Sequence, residues 1–269
     1  MTLASPALLD GLILAAIEAG REILDVYAQP IAVSRKADAS PVTEADERAE
    51  AVILAALARL APDVPVVAEE SVAAGRIPAT GERFFLVDPL DGTKEFIAGN
   101  GEFTVNIGLI EHGVPVMGVV YAPAQGRLFA GGPDGACTAE VVDGRAGPRR
   151  SIVVRALPPS GVTVVGSRSH GSDSMASFLQ AFAVERFISA GSSLKFCLIA
   201  AGEADFYPRF GRTMEWDTAA GDAVLRAAGG LMTRTDGTAF LYGKRNQAED
   251  CDFANPHFLA AGHPSLIRT

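Results

Sequence analysis

The runs Phe103–Ile110, Val114–Tyr121 and Arg127–Ala130 are rich in β-branched and aromatic residues, and only Glu111-His112-Gly113 and Pro123–Gly126 separate them. Connections this short join antiparallel neighbours, so the spacing predicts a β meander and commits the middle of the chain to an antiparallel sheet. Upstream, Leu8, Leu9, Leu12, Ile13, Ala16, Ile17, Gly20, Ile23 and Leu24 recur at helical spacing and predict an amphipathic opening helix. A polar loop around Ser34–Pro41 leads into a second helix, whose start at Thr43-Glu44-Ala45-Asp46 has the form of a capping box. Phe84–Val87 reads as a buried strand.

Downstream, Val162–Val165, Val184–Ile188, Ala204–Tyr207, Gly230–Thr233 and Phe258–Ala261 are short apolar runs. They alternate with helical patterns near Ser174–Phe182, Ser192–Gly202 and Thr218–Ala228. The expected fold class is therefore α/β in the mixed α+β sense: an N-terminal antiparallel-sheet lobe with helices, followed by a C-terminal α/β lobe. Gly131–Arg150 is rich in Gly and Pro and carries few sustained apolar runs, which places the lobe boundary there, with lobes at 1–140 and 141–269.

With 269 residues, 48% of them hydrophobic, the chain can bury a large core. No apolar run approaches the ~20 residues of a membrane span, and the N-terminus lacks a signal peptide's basic flank and cleavage site, so a cytoplasmic protein is expected. A net charge of -9 argues against a polynucleotide partner, which needs a basic face, but leaves room for a small anionic substrate in a locally positive cleft. Cys137, Cys197 and Cys251 lack metal-type spacing, and Cys197 falls in an apolar helix as a reduced core thiol. The four histidines are scattered, so carboxylates favour magnesium or calcium over zinc or copper.

Val87-Asp88-Pro89-Leu90-Asp91-Gly92-Thr93 sets two carboxylates three residues apart at the end of the buried strand. Pro89 and Gly92 enforce a turn, and Thr93 opens a short helix whose free N–H groups would face an anion, so a hard metal ion and a phosphate could meet there. The alternative is a solvated Asx turn. Three further acids sit where elements begin or end. Glu69 closes the short run Pro65–Ala68, Asp217 lies at the N-cap or first turn of a small-residue helix, and Asp46 starts the second helix; ordinary capping is the alternative for Asp217 and, taken alone, the favoured reading for Asp46. Lys195 falls in the first turn of the helix after Gly191-Ser192-Ser193, where the helix dipole disfavours a cation. A bound anion would resolve that conflict, with Ser192 or Ser193 as cap and Arg209 as a second, forked cation. The alternative is that Lys195 and Arg209 extend into solvent.

Asp88-Pro89-Leu90-Asp91-Gly92-Thr93, together with Trp216-Asp217-Thr218-Ala219-Ala220-Gly221, resembles the two signatures of the inositol monophosphatase superfamily of lithium-sensitive, magnesium-dependent phosphatases. Lys36–Thr43, Val87–Phe96, Asn100–Asn106 and Gly191–Cys197 are most similar to its 3'(2'),5'-bisphosphate nucleotidase branch, whereas Glu69-Glu70-Ser71 looks more like the inositol phosphatases. The resemblance implies the layered sugar-phosphatase fold and two or three magnesium ions. One would be held by Glu69, Asp88 and the Leu90 carbonyl, a second by Asp88, Asp91 and Asp217. It further implies that Thr93 and Glu69 orient the attacking water, with Asp46 assisting through water and a more loosely held metal. Gly92 and Thr93 would grip the scissile phosphate, Ser192, Lys195 and Arg209 the other phosphate, and His170 an adenine. The implied reaction is removal of the 3'-phosphate of adenosine 3',5'-bisphosphate to give AMP. An inositol-1-phosphatase or a broad sugar-phosphate phosphatase is the alternative, ahead of a non-catalytic metal or nucleotide sensor. The oligomeric state stays open.

Overall fold

A computed structural model describes residues 4–30, 33–35, 41–166 and 173–267. Helix α1 (Pro6–Tyr27) opens where Ser5 Oγ accepts from the Leu8 amide at 3.3 Å, with Pro6 in the first turn, where a missing N–H costs nothing. Its apolar stripe buries Leu12, Ile13, Ile17 and Ile23 almost completely. Burial of each such side chain stabilises by about 1.5–3 kcal/mol. Two short strands not anticipated from the sequence, β1 (Val33–Arg35) and β2 (Pro41–Thr43), pair antiparallel ahead of α2 (Glu44–Leu60).

Next come β3 (Val66–Ala68), α3 (Glu69–Ala73), β4 (Arg83–Asp91), α4 (Thr93–Ile97), β5 (Thr104–Glu111), β6 (Val114–Ala122) and β7 (Arg127–Gly132). β8 (Gly135–Val142), β9 (Arg145–Ala146) and β10 (Arg150–Ile152) follow. The expected meander is present, and the sheet it belongs to is wider: β10-β8-β7-β6-β5-β4-β3, with β9 paired to β8. All its pairings are antiparallel except β3 with β4. The Gly- and Pro-containing stretch after Gly131 thus supplies strands to this sheet, which runs through Ile152. Short strands joined by tight turns carry little apolar signal of their own, because their partners come from the established sheet.

The chain then forms β11 (Val162–Gly166), α5 (Asp173–Leu179), β12 (Val184–Ser189), α6 (Leu194–Ala200) and β13 (Phe206–Arg209). It closes with α7 (Glu215–Ala227), β14 (Leu231–Arg234) and β15 (Phe258–Ala261). The second sheet has the order β12-β11-β13-β15-β14, parallel in its first half and antiparallel in its second. Three apolar clusters glue the layers. The first lies between α1, α2 and the large sheet; the second holds α6 and α7 between the two sheets; the third covers the outer face of the small sheet with Phe178 and Leu179 of α5. Among the described residues no helix is long and apolar enough to cross a membrane.

The approach of α7 to the large sheet sets the position of the site. Gly108, Gly118 and Gly131 face one another across β5, β6 and β7. A Cβ at Gly118 would lie 2.5 Å from the Ala220 carbonyl, and one at Gly131 2.7 Å from Val224 Cα. The three glycines therefore form a smooth track, and the small residues of α7 settle into it. That close seating brings the first turn of α7 to the end of β4.

Candidate active site

β4 is buried from Phe84 through Leu90 and pairs with β5 in regular register up to Asp88↔Asn106. The next pair is Asp91↔Thr104, so the ladder is irregular between Asp88 and Asp91. Asp88 is 2% exposed and its Oδ1 accepts from the Leu90 amide at 3.0 Å. The Asx-type turn is thus real, and it is also what fixes Asp88. Gly92, at φ 93°, ends the strand in the left-handed region and lets α4 start; a Cβ there would come 2.4 Å from Ser192 Oγ. Thr93 Oγ1 lies 3.2 Å from Asp46 Oδ1 and 3.3 Å from the Leu90 carbonyl.

Asp46 fills its expected capping role and also reaches Thr93. Its Oδ2 accepts from the amide and hydroxyl of Thr43, each at 2.8 Å, which completes the capping box of α2, while its other oxygen faces Thr93. Glu69 begins α3 immediately after β3, whose Ala68 pairs with Val87. The buried Glu50 of α2 fixes this corner by accepting from the Glu70 amide at 2.8 Å and from Ser71 Oγ at 2.6 Å. Asp217 lies in the first turn of α7, where its Oδ2 accepts from the Met214 amide at 2.7 Å. Glu69, Asp88 and Asp217 each offer an oxygen within 4.8 Å of the others. Asp91 lies beside this trio, with Asn106 Nδ2 donating to its Oδ2 at 3.3 Å.

Burial pushes the Asp91 carboxyl up to about 6, aided by Glu69 and Glu95 and opposed by Lys195 and the Asn106 hydrogen bond. Asp217 is also held well above the usual carboxylate range, by burial first and then by Asp91 and Glu69. Clustered, desolvated carboxylates repel one another unless a cation neutralises them. The donor set is oxygen only, which fits a hard divalent ion such as magnesium or calcium.

The opposite wall is basic. Lys195 lies in the first turn of α6 as the sequence predicted, but it is 6% exposed and does not reach into solvent. Its Nζ donates to the carbonyls of Ser192 at 2.6 Å and Ala190 at 3.3 Å, and sits 5.4 Å from the centre of the Tyr207 ring. These carbonyls partly answer the helix-dipole conflict without any anion. Burial draws the Lys195 amine down to about 8, against the pull of Asp91. Arg209 Nη2 donates to the Arg212 carbonyl at 3.3 Å, and its Nε is buried with no hydrogen-bond partner among the described residues.

Neither serine caps α6 through its side chain. Ser192, at φ 49°, places its hydroxyl 2.8 Å from the Asp91 carbonyl and 2.7 Å from that of Glu102, while the Ser193 hydroxyl donates to the Asp217 carbonyl at 2.6 Å. Asp91, Gly92, Ser192, Lys195, Arg209 and Asp217 line one cavity of about 150 Å³. His170 lies outside the described residues. Sequence reasoning named Ser193 only as a candidate cap of α6 and did not single out Asn106, Glu50 or Tyr207 for this site. The available signal was a lone amide in the apolar run Thr104-Val105-Asn106-Ile107.

The sequence pattern of the Inositol monophosphatase family matches residues 7–263. A 3'(2'),5'-bisphosphate nucleotidase CysQ of Salmonella typhimurium is 48% identical over 243 residues, spanning 89% of this chain and 94% of the relative. The protein of the same name from Escherichia coli strain K12 is 46% identical over 254 residues, spanning 93% and 98%. Among solved structures, CysQ from Bacteroides thetaiotaomicron superposes with a TM-score of 0.77 at 35% identity, covering 97% of this chain and all of that one. The inositol monophosphatase from Anabaena superposes with a TM-score of 0.72 at 27% identity, covering 95% of this chain and 90% of that one. The layered arrangement of helices and sheets is shared with these structures, and the chain belongs to the inositol monophosphatase family.

Proposed function

We propose that this protein is a magnesium-dependent phosphomonoesterase that removes the 3'-phosphate of adenosine 3',5'-bisphosphate to give AMP, and that it also accepts the sulfated nucleotide. One observation carries the reading: Asp91 and Asp217 share a single small cavity with the buried Lys195 and with Arg209, whose Nε is buried and unpaired among the described residues. A substrate with two phosphates suits this pairing, one at each wall. The names and identity of the relatives support the same substrate.

In this mechanism Glu69, Asp88, the Leu90 carbonyl, Asp91 and Asp217 would hold two or three magnesium ions, which supply charge neutralisation and a more acidic water when bound. Lys195 and Arg209 grip the phosphate that is not cleaved, and Ser192 shapes the turn between the two walls. The backbone N–H groups of Gly92 and Thr93 hold the scissile phosphate. Thr93 Oγ1 directs its proton to Asp46 Oδ1 and so presents a lone pair to the attacking water, with Glu69 as the second acceptor. The water oxygen bonds to phosphorus as the bond to the 3'-oxygen breaks, and that oxygen leaves as the hydroxyl after taking a proton from solvent. We assign His170 to the adenine. The deciding experiment compares phosphate release from adenosine 3',5'-bisphosphate, inositol 1-phosphate and fructose 1,6-bisphosphate in magnesium. Preference for the nucleotide is expected, and equal or better turnover of inositol 1-phosphate overturns the assignment.

A further inference from the structure

Thr104 and Asn106 of β5 and Ser193 at the start of α6 form a buried polar strip in otherwise apolar surroundings; Thr104 and Asn106 are 0% exposed and Ser193 1%. Thr104 Oγ1 donates to Asn106 Oδ1 at 3.0 Å. Both hydrogens of the Asn106 amide are then used, one toward Asp91 Oδ2 at 3.3 Å and one toward Ser193 Oγ at 3.0 Å. Ser193 passes its own proton to the Asp217 carbonyl at 2.6 Å. One line of donors runs from the large sheet through the α6 turn into α7, a branch from Asn106 reaches Asp91 at the end of β4, and no member can rotate without leaving a buried group unpaired.

One end of this strip is the carboxylate of Asp91, beside the carboxylate trio, and the other is the backbone carbonyl of Asp217, a member of it, and the two come from different elements, β4 and α7. Ser192 reinforces the first end by placing its hydroxyl on the Asp91 carbonyl. Packing alone does not call for such a strip, since an apolar residue at position 193 would fill the space at lower desolvation cost.

We propose that Asn106 and Ser193 are positioning residues that set the separation of Asp91 and Asp217, and thereby the affinity of the site for its divalent cation. The proposal rests on the metal-dependent reading above. Groups that orient ligands from behind commonly contribute about 10- to 100-fold in metal affinity.

The test is calorimetric titration of magnesium into the substrate-free protein, for the parent, Ser193→Ala, Asn106→Ala and the double variant. Each single change is expected to weaken magnesium binding about tenfold or more. Because the strip acts in series, the double variant should be little worse than the worse single one. At saturating magnesium the KM for the nucleotide should hold within about twofold, a split that a general loss of packing does not give. Magnesium affinity of Ser193→Ala within about twofold of the parent overturns the proposal, and so does full additivity in the double variant. Should Asn106→Ala fail to fold, Ser193→Ala, which removes one hydroxyl, decides alone. A parent that binds no magnesium sinks the phosphatase reading together with this one, whereas a binding parent with an unaffected Ser193→Ala sinks this one only.

Discussion

The two walls of the cavity differ in how their charges are kept in place. On the acidic wall, Asp46, Asp88 and Asp217 each accept from a backbone amide, of Thr43, Leu90 and Met214 respectively. On the basic wall, Lys195 leans on two carbonyls and a ring, and Arg209 has a buried Nε with nothing to donate to among the described residues. The acidic wall is thus built into strand and helix ends, as chemistry that tolerates little displacement requires. The basic wall keeps unused donor capacity, as a site for an arriving anion should.

Removing a carboxylate should break the comparison most severely. Asp91→Asn is expected to lower turnover about a thousandfold in saturating magnesium, because the charge stabilisation lost is worth several kcal/mol. The fold should remain, and its melting temperature in chelator should stay level or rise, since one of several repelling carboxylates is gone. Near-normal turnover would remove Asp91 from the chemistry. On the basic wall, Arg209→Ala or Lys195→Met should lower kcat/KM for the bisphosphate nucleotide by about ten- to a hundredfold, the value of one charge-assisted contact. Inositol 1-phosphate, lacking the second phosphate, should be nearly unaffected. Equal losses on both substrates would mean that the two walls do not divide their labour.

Proton linkage sharpens the same contrast. In chelator, the Asp91 carboxyl titrates at about 6 in the folded protein, above its ordinary value of 3.8. The folded state therefore takes up a proton that the unfolded chain does not, and this stability is fully present below about pH 4 and lost as pH rises through about 6. Asp217 acts in the same direction. Lys195, drawn down to about 8, does not titrate in this window. Melting curves in chelator should show the parent gaining on Asp91→Asn between pH 7 and 5. In saturating magnesium the gain should reverse, because protons then compete with the ion. A pH-independent difference in chelator would contradict the assigned electrostatics. The smallest effect belongs to the acidic wall's support: Thr43→Ala removes the helix cap and one of the donors to Asp46, and should lower stability by about 1 kcal/mol in denaturant melts.

Much of this was legible in the sequence, for reasons that differ by element. The meander, α1, the capped start of α2 and the first turn of α7 carry local signals, namely alternation, helical spacing and capping residues, and tertiary context agrees with them. β8, β9 and β10 were not legible, because their stability comes from edge pairing with an existing sheet. Within the site, Asp88, Asp91, Thr93 and Asp217 lie in recognisable signatures, Glu69 closes a short apolar run, and Lys195 stood out as a cation in the wrong helical turn. Asn106 remained hidden, and so did the link from Ser193, read only as a helix cap, to α7. A single amide in a strand and a serine at a helix start have ordinary explanations until the strand and the helix are seen to touch.

The irregular pairing between Asp88 and Asp91 bears on how this region tolerates insertions and deletions. Three is an odd interval, and on a plain strand two residues so spaced project to opposite faces. Their partners Asn106 and Thr104 are an even interval apart, so β4 spends three residues where β5 spends two, and both aspartates emerge on the side of α6 and α7. Deleting Pro89 or Leu90, or adding one residue there, would preserve every functional side chain in the sequence and still turn one aspartate away from its partner or misplace the Leu90 carbonyl. Chain length between these two positions is therefore as much a part of the site as the residues themselves, and homologous or engineered chains that keep the aspartates but change this interval should lose activity while still folding.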